Sequence, residues 1–200
     1  MRWWWSICIL AIVAGCSTEG KLKIYNNTAH TLYVAVDGES FELSGYTLAS
    51  EPETRVFTYD TGKAFLFDEG DDVPVDIYLE GETFLMPNDS THTEVVIRPD
   101  KTTKIFTAPT HASIKIENSG DQAVTQVFFR TDQSPVWHVF SNSAIASDTV
   151  WFKQIAFSTE DDVFVYFFRV VMEDGTMIDY PDGGQGVELE LDDQYSIVLE

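Results

Sequence analysis

The chain is 200 residues long and carries 12 basic against 33 acidic residues, a formal net charge of −21. That imbalance excludes nucleic acid as a partner, because binding a phosphate backbone depends on cations that neutralise it. It also sets the surface against anionic lipid headgroups within a Debye length of about 8 Å at physiological salt. A hydrophobic content of 44%, with 14 Phe and 8 Tyr, is enough to bury a core in one large domain or two small ones.

Arg2 precedes an apolar run from Trp3 to Val13 that closes in Val13-Ala14-Gly15-Cys16. A charged start, an apolar middle and small residues at the end describe an export signal, and the run is too short to span a hydrocarbon core permanently. The Val-Ala-Gly-Cys ending resembles the lipobox of bacterial lipoprotein precursors. The resemblance implies a signal peptide over residues 1–15 that is cut away, a diacylglyceryl group on the Cys16 thiol and an acylated new amine. Losing Arg2 leaves 11 basic and 33 acidic residues, a net of −22. Cys8 lies in the discarded run and Cys16 carries lipid, so no thiol pair remains for a disulfide. Membrane residence then rests on acyl chains, each buried methylene contributing about 0.8 kcal/mol. Residues 16–20 read as the lipidated cysteine and a short tether. Ser17 directly after the cysteine resembles the enteric rule for transport to the outer membrane, which leaves open whether the protein faces the periplasm or the outside.

From Lys21 the pattern is short alternating segments separated by turn residues. Leu22 and Ile24 open a strand stopped by Asn26-Asn27-Thr28; Leu32, Val34 and Val36 alternate up to Asp37-Gly38. Val56 to Tyr59 and Ala64 to Phe67 bracket Asp60-Thr61-Gly62. Val73, Val75, Ile77 and Leu79 point one way while Pro74, Asp76, Tyr78 and Glu80 point the other, the clearest half-buried strand. Pro74 implies an edge position or the strand's first residues. Val95 to Ile97 and Lys104 to Phe106 follow. Many short strands with no sustained helical period predict a sandwich or barrel.

A second series starts after Thr107 to His111: Ile114 to Ile116, Val124 to Phe129, Val136 to Phe140, Val150 to Phe157, Val163 to Met172, Val187 to Leu191 and Tyr195 to Leu199. The two series match in order. Leu22 to Asn26 sits over Ile114 to Asn118, and Asp71 to Val75 over Asp161 to Val165. Glu80 to Thr83 falls near Glu173 to Thr176, and Lys104 to Phe106 over Ser196 to Val198. Any two sandwiches share alternation and Asp/Gly turns, but anchors in one order favour two copies of one fold. The expected architecture is all-β: two tandem antiparallel β-sandwiches, immunoglobulin-like, over residues 21–108 and 112–200. The second half, from Ala112 onward, resembles a small secreted bacterial immunoglobulin-like module of unassigned function. The residues carrying the likeness are Ile114 to Asn118, Ser134-Pro135-Val136-Trp137 and Phe168-Arg169-Val170-Val171 running to Asp174-Gly175. Ala146-Ser147-Asp148 stands where such modules often have Pro-Gly. The resemblance implies a fold and supplies no catalytic residues.

No catalytic constellation is legible. His30, His92, His111 and His138 lack ligand spacing, no Gly-x-Ser-x-Gly elbow is present, and Gly183-Gly184-Gln185-Gly186 joins strands without opening a helix. No enzyme activity and no resident cofactor are expected. Two acidic loops, Asp68-Glu69-Gly70-Asp71-Asp72 and Glu160-Asp161-Asp162, crowd hard oxygen ligands that calcium takes; the competing reading is a pair of solvated turns. Trp137, Trp151 and Tyr180 lie in or beside expected loops, where aromatic faces could stack on sugar rings or could simply fill the core. Val163 to Met172 is apolar on both faces, with Arg169 at the rim of the second face or paired to a carboxylate; a contact between lobes is the expected cover for that face. The sequence thus predicts a lipid-anchored envelope protein that binds or scaffolds another envelope protein, for example by strand addition at a sheet edge. The alternative is a surface glycan-binding or adhesive protein that uses loop aromatics, with or without calcium.

Overall fold

The computed structural model describes residues 16–47, 50–64 and 70–200. The lipobox residues before Cys16, the expected strand beyond Ala64, and Asp68 and Glu69 of the first acidic loop lie outside the described residues. Fifteen strands are described: β1 (Cys16–Asn26), β2 (Leu32–Val36), β3 (Glu39–Leu43), β4 (Thr54–Ala64), β5 (Val73–Gly81), β6 (His92–Ile97), β7 (Thr102–Thr107), β8 (Ala112–Asn118), β9 (Val124–Thr131), β10 (Ser134–Ser141), β11 (Thr149–Ile155), β12 (Val165–Met172), β13 (Met177–Tyr180), β14 (Val187–Glu188) and β15 (Gln194–Leu199). One 3₁₀ turn, Pro87–Asp89, interrupts them. The protein is all-β, and among the described residues no helix is long and apolar enough to cross a membrane.

The chain forms two compact units. The first holds the segment up to Asn27 with Tyr33–Glu80 and Met86–Thr107; the second holds Thr28–Leu32, Gly81–Leu85 and Ala108–Glu200. In the first unit β1 is the middle of a sheet ordered β4-β1-β7, and the other sheet runs β3-β2-β5-β6. The alternation in β5 buries Val75, Ile77 and Leu79 and exposes Pro74 and Asp76. Although β5 lies inside its sheet, Pro74 is only its second residue, where a missing N–H costs one ladder bond at the strand's start.

The second unit repeats this pairing strand for strand. β8 is the middle of β11-β8-β15, and the other sheet runs β10-β9-β12-β13, with β14 also on β12. In both units the central strand pairs antiparallel to one neighbour and parallel to the other. The register coincides as well: Ile24 lies opposite Ile105, and Ile116 opposite Ile197. Each of the expected antiparallel sandwiches thus includes a parallel pair between its first and last strands. Lettered A to G along the chain, the sheets are D-A-G and C-B-E-F. An immunoglobulin constant domain has A-B-E-D and C-F-G, so the likeness to that fold extends to the two-layer build and not to the strand order. The core of the second unit joins both layers: Ile114, Ile116, Ile155, Ile197 and Leu199 meet Val127, Phe140, Tyr166, Phe168 and Val170.

Both central strands end in a buried asparagine, for the same reason. The Asn26 Nδ2 donates to the carbonyls of Leu43 and Ser44, each at 3.0 Å. The Asn118 Nδ2 donates to Gln122, Ile145 and Ala146 at 2.9, 3.2 and 3.1 Å, while its Oδ1 accepts from the Gly120 N–H. A buried side-chain amide here finds its own partners by tying down the loop carbonyls beside it.

Ser17 to Gly20 differs from the expected tether. These residues belong to β1 and pair with β4, with a register shift between Ser17 and Glu19. Thr18 is buried, accepts a hydrogen bond from Thr61 Oγ1 at 2.9 Å and donates to the Gly62 carbonyl at 3.3 Å. Gly20 packs so closely that a Cβ there would sit 2.7 Å from the Arg98 carbonyl oxygen. Sheet pairing and these contacts draw the segment into the fold.

A polar cluster ties the two early segments into the second unit. Glu82, only 2% exposed, lies 3.3 Å from Lys115 Nζ on β8 and accepts a hydrogen bond from Gln194 on β15 at 3.0 Å. His30 Nε2 meets the Asp192 carbonyl at 2.8 Å, and the Asp192 carboxylate accepts from Ala29 N–H at 2.7 Å and from Thr83 Oγ1. Charges buried this deeply are tolerated because they are paired and hydrogen-bonded.

Asn118→Asp replaces a donor with a carboxylate facing three carbonyl oxygens. It is expected to lower unfolding stability by at least about 1–3 kcal/mol, measured by chemical denaturation. A change within about 0.5 kcal/mol, the range for surface substitutions without such partners, would show that the amide is not what holds these loops.

Candidate functional site

The outer face of the β10-β9-β12-β13 sheet carries a row of side chains that crosses all four strands. Trp137 stands on β10, Arg130 on β9, Phe167 and Arg169 on β12, and Asp179 on β13, whereas Tyr180, opposite the buried Phe168, turns to the core face. Strand register brings them together. Phe167 lies opposite Arg130, and Arg169 lies opposite Asp179, so period-two alternation sends the four side chains to the same face. The irregular pairing between Ser134 and His138 admits Trp137 to that row.

The two guanidinium groups differ in their partners. Arg169 makes a two-point pair with Asp179, Nε to Oδ1 at 2.5 Å and Nη2 to Oδ2 at 2.8 Å, and lies 4.4 Å from the centre of the Trp137 ring. Arg130 lies 3.8 Å from the Phe167 ring centre and 5.3 Å from that of Trp137. Cation–ring contacts of this kind contribute about 0.5–1 kcal/mol each at exposed sites and more when desolvated. The Arg169 hydrogen bond holds the Asp179 carboxyl below its ordinary range; partial burial opposes that effect, and the charges of Arg169 and Arg130 add to it.

Beside this row is a cavity of about 200 Å³, lined by Arg130, Trp137, Phe167, Asp179, Tyr180 and the turn Pro181 to Gly184, which includes Asp182. The turn carries positive φ at Gly183 (88°) and Gly184 (76°) with open space around both, so backbone conformation and not crowding requires glycine there. Gly186 is required by crowding: a Cβ would come within 2.8 Å of the Phe167 ring. The volume lies below the roughly 300–1,000 Å³ of sites for drug-sized molecules, so the cavity suits a single ring. Desolvation raises the Tyr180 hydroxyl pKa, and the neighbouring Tyr195 and Asp182 raise it further.

The sequence candidates separate accordingly. Trp137 and Tyr180 both line this cavity, Trp137 from the outer face of β10 and Tyr180 from the end of β13 beside the Pro181 turn, with its ring packed against the core. Trp151 does not join them. It stands on β11 opposite Ile116 and packs edge-on against Phe140, ring centres 5.8 Å apart, as part of the core. The second apolar face of β12, expected to meet the other lobe, is covered from within its own unit by Arg130, Trp137 and the Gly186 turn.

The described residues of the acidic loops do not gather into a ligand set. Among the described residues no group of three His, Cys, Asp or Glu side chains is placed to hold a metal ion. The Asp162 N–H instead donates to Thr159 Oγ1 at 3.1 Å, and its carbonyl accepts from the Thr159 N–H, a self-contained turn in which Glu160 and Asp161 remain exposed. Asp71 closes another turn by donating its N–H to the Thr61 carbonyl at 2.7 Å, and Asp72 is exposed.

Arg130, Phe167 and Asp179 were not singled out in the sequence. The only signal was alternation: Phe128 and Arg130 share one face of their strand, as do Phe167 and Arg169. That places each pair outward without showing that they converge.

No family model and no curated protein matches the chain. Among solved structures, the chain is similar to the Bacillus anthracis TIE protein at 6% identity and a TM-score of 0.29, over 92% of this chain and 34% of that one. The chain thus spans about a third of that protein's length. It is also similar to a DUF3823 family protein from Bacteroides ovatus, at 9% identity and TM-score 0.26 over 84% of this chain and 97% of that one. A third is the tip fimbrial protein Mfa3 from Porphyromonas gingivalis, at 11% identity and TM-score 0.26 over 82% and 81%. Superpositions this loose say nothing about ligand or activity.

Because Asp179 is held ionised in the folded state, the stability it contributes is complete above its unfolded pKa of about 3.9 and is lost as pH falls through the lower folded value. A carbon-detected NMR titration should therefore place the Asp179 midpoint below about 3.9. A midpoint at or above that value would mean that the Arg169 pair does not persist in solution.

Proposed function

We propose that the chain is a lipid-anchored envelope protein that acts as a non-catalytic binding module, with the cavity on the outer face of the second unit as its ligand site. The observation that carries the reading is the convergence of Trp137 and Phe167 with Arg130 around one ring-sized space. Ring faces and planar donors recognise a ligand without providing a nucleophile or a base. The same convergence favours the glycan-binding reading over protein scaffolding, because flat apolar faces with polar edges match the two sides of a sugar ring. The acidic loops have no part in it, so binding needs no calcium.

Anchoring rests on Cys16 and its likeness to a lipobox. With β1 beginning at that residue, an acylated Cys16 would hold the first unit against the bilayer with no flexible spacer. Localisation at the outer membrane and binding to an envelope glycan belong to this same reading.

Two measurements test it. Cys16→Ser should move the protein from the membrane fraction to the soluble fraction after a high-salt wash; unchanged retention removes the anchor. A glycan array run with and without chelator should show binding that does not depend on chelator and that falls at least about tenfold in Trp137→Ala, a change worth about 1.4 kcal/mol. Trp151→Ala instead opens a core cavity and should act on stability, by about 3–5 kcal/mol if its site behaves as a fully buried one. Binding lost equally in both variants at matched folded fraction would sink the assignment of the site.

A further inference from the structure

Arg130 is the unusual member of the cavity. Carboxylates outnumber cations by 33 to 12 in this chain, and the neighbouring Arg169 has taken Asp179 as a two-point partner. Arg130 has ring faces for neighbours instead, Phe167 at 3.8 Å and Trp137 at 5.3 Å, and lines the cavity. Among the described residues its charge acts on Asp179 without a hydrogen bond or close ion pair to the guanidinium, and no buried side-chain nitrogen or oxygen lacks a partner. Its N–H groups therefore reach the solvent of the cavity. Stacking holds the plane of a guanidinium while leaving its edge free, the arrangement suited to a two-point bond with a carboxylate.

Building on the binding-module reading, we infer that the cavity selects a sugar acid: a carboxylate on the edge of Arg130, with the ring lying against Trp137. The rim supports that choice over other anions. Asp179 is paired with Arg169, leaving Asp182 as an acceptor for a sugar hydroxyl. A phosphate dianion would meet the Asp182 charge with only one unengaged cation to offset it. A neutral sugar would satisfy the rings but leave the Arg130 donors in water. The volume of about 200 Å³ corresponds to roughly seven waters at about 30 Å³ each. That is room for one sugar ring, so the site reads a terminal or single residue of a polymer and not a run of them.

The test uses the full chain in mild detergent, titrated by calorimetry with galacturonate and glucuronate, with galactose and glucose as neutral counterparts and inorganic phosphate as a control anion. At least one acid is expected to bind ten times or more tighter than its neutral counterpart and than phosphate. That preference should weaken as salt is raised from 50 to 300 mM. Arg130→Gln should reduce the acid to the affinity of the neutral sugar, and Arg130→Lys should restore only part of the difference, because a point charge lacks the two-point edge. Near-ultraviolet circular dichroism of each variant confirms that the Trp137 environment is retained. Equal binding of acid and neutral sugar overturns the selectivity while leaving the binding-module reading in place. Phosphate binding as tight as the acids overturns the sugar assignment in favour of a general anion site. No binding by any sugar, with Trp137→Ala also silent on the glycan array, removes both.

Discussion

Each unit depends on a central strand that is hydrogen-bonded along both edges and buried on its inner face. β1 and β8 each carry an antiparallel neighbour on one side and a parallel neighbour on the other. The parallel neighbour is the last strand of its unit, so the pairing closes the chain back on its own beginning. Such a strand has no free edge and must keep its register, since a slip of one residue would turn Ile24 or Ile116 out of the core. The terminal asparagines reinforce this by tying the strand's end to loops of the opposite layer. With the middle strand held from three directions, the outer sheet of the second unit becomes a fixed platform. A site built on strands is held more rigidly than one built on loops.

That platform explains how an acidic protein keeps two arginines on one sheet face. Two arginines on adjacent strands would repel each other, and every exposed one would draw a carboxylate. Here one arginine is satisfied by Asp179 and the other is held by rings. Face-to-ring contact lowers the cost of placing a guanidinium beside apolar surface, because the group is more weakly hydrated than an ammonium. The same contacts cover the outer face of β12, which would otherwise leave Phe167 and Val165 in water. Charge arrangement and apolar cover are thus provided by the same four side chains.

Much of the fold was legible from alternation and turn residues. The half-buried strand at Val73 to Leu79, the paired anchors at Asn26 and Asn118 and the position of the second series all show in the order of residue types. Trp137 and Tyr180 were legible as candidates because their chemistry is distinctive. Trp151 was drawn into the same group because periodicity does not tell which face of a strand looks inward; only its pairing with Ile116 turned it to the core. The acidic loops were read as possible ligand sets because composition counts oxygens without saying where they point. Ser17 to Gly20 was read as spacer because short polar residues look like linkers, yet a buried Thr18 and a closely packed Gly20 make it strand.

The amino-acid sequence by itself determined the class of structure, the twofold repetition and the pool of aromatic and charged side chains, since these depend on local period and chemistry along the chain. Tertiary structure alone decided that strand order is D-A-G and C-B-E-F, that segments 28–32 and 81–85 join the second unit, and that Arg130, Trp137, Phe167 and Tyr180 share one cavity. The reason is physical: cross-strand register and sheet order join residues tens of positions apart. Nothing in the local pattern records which distant strand will supply the partner.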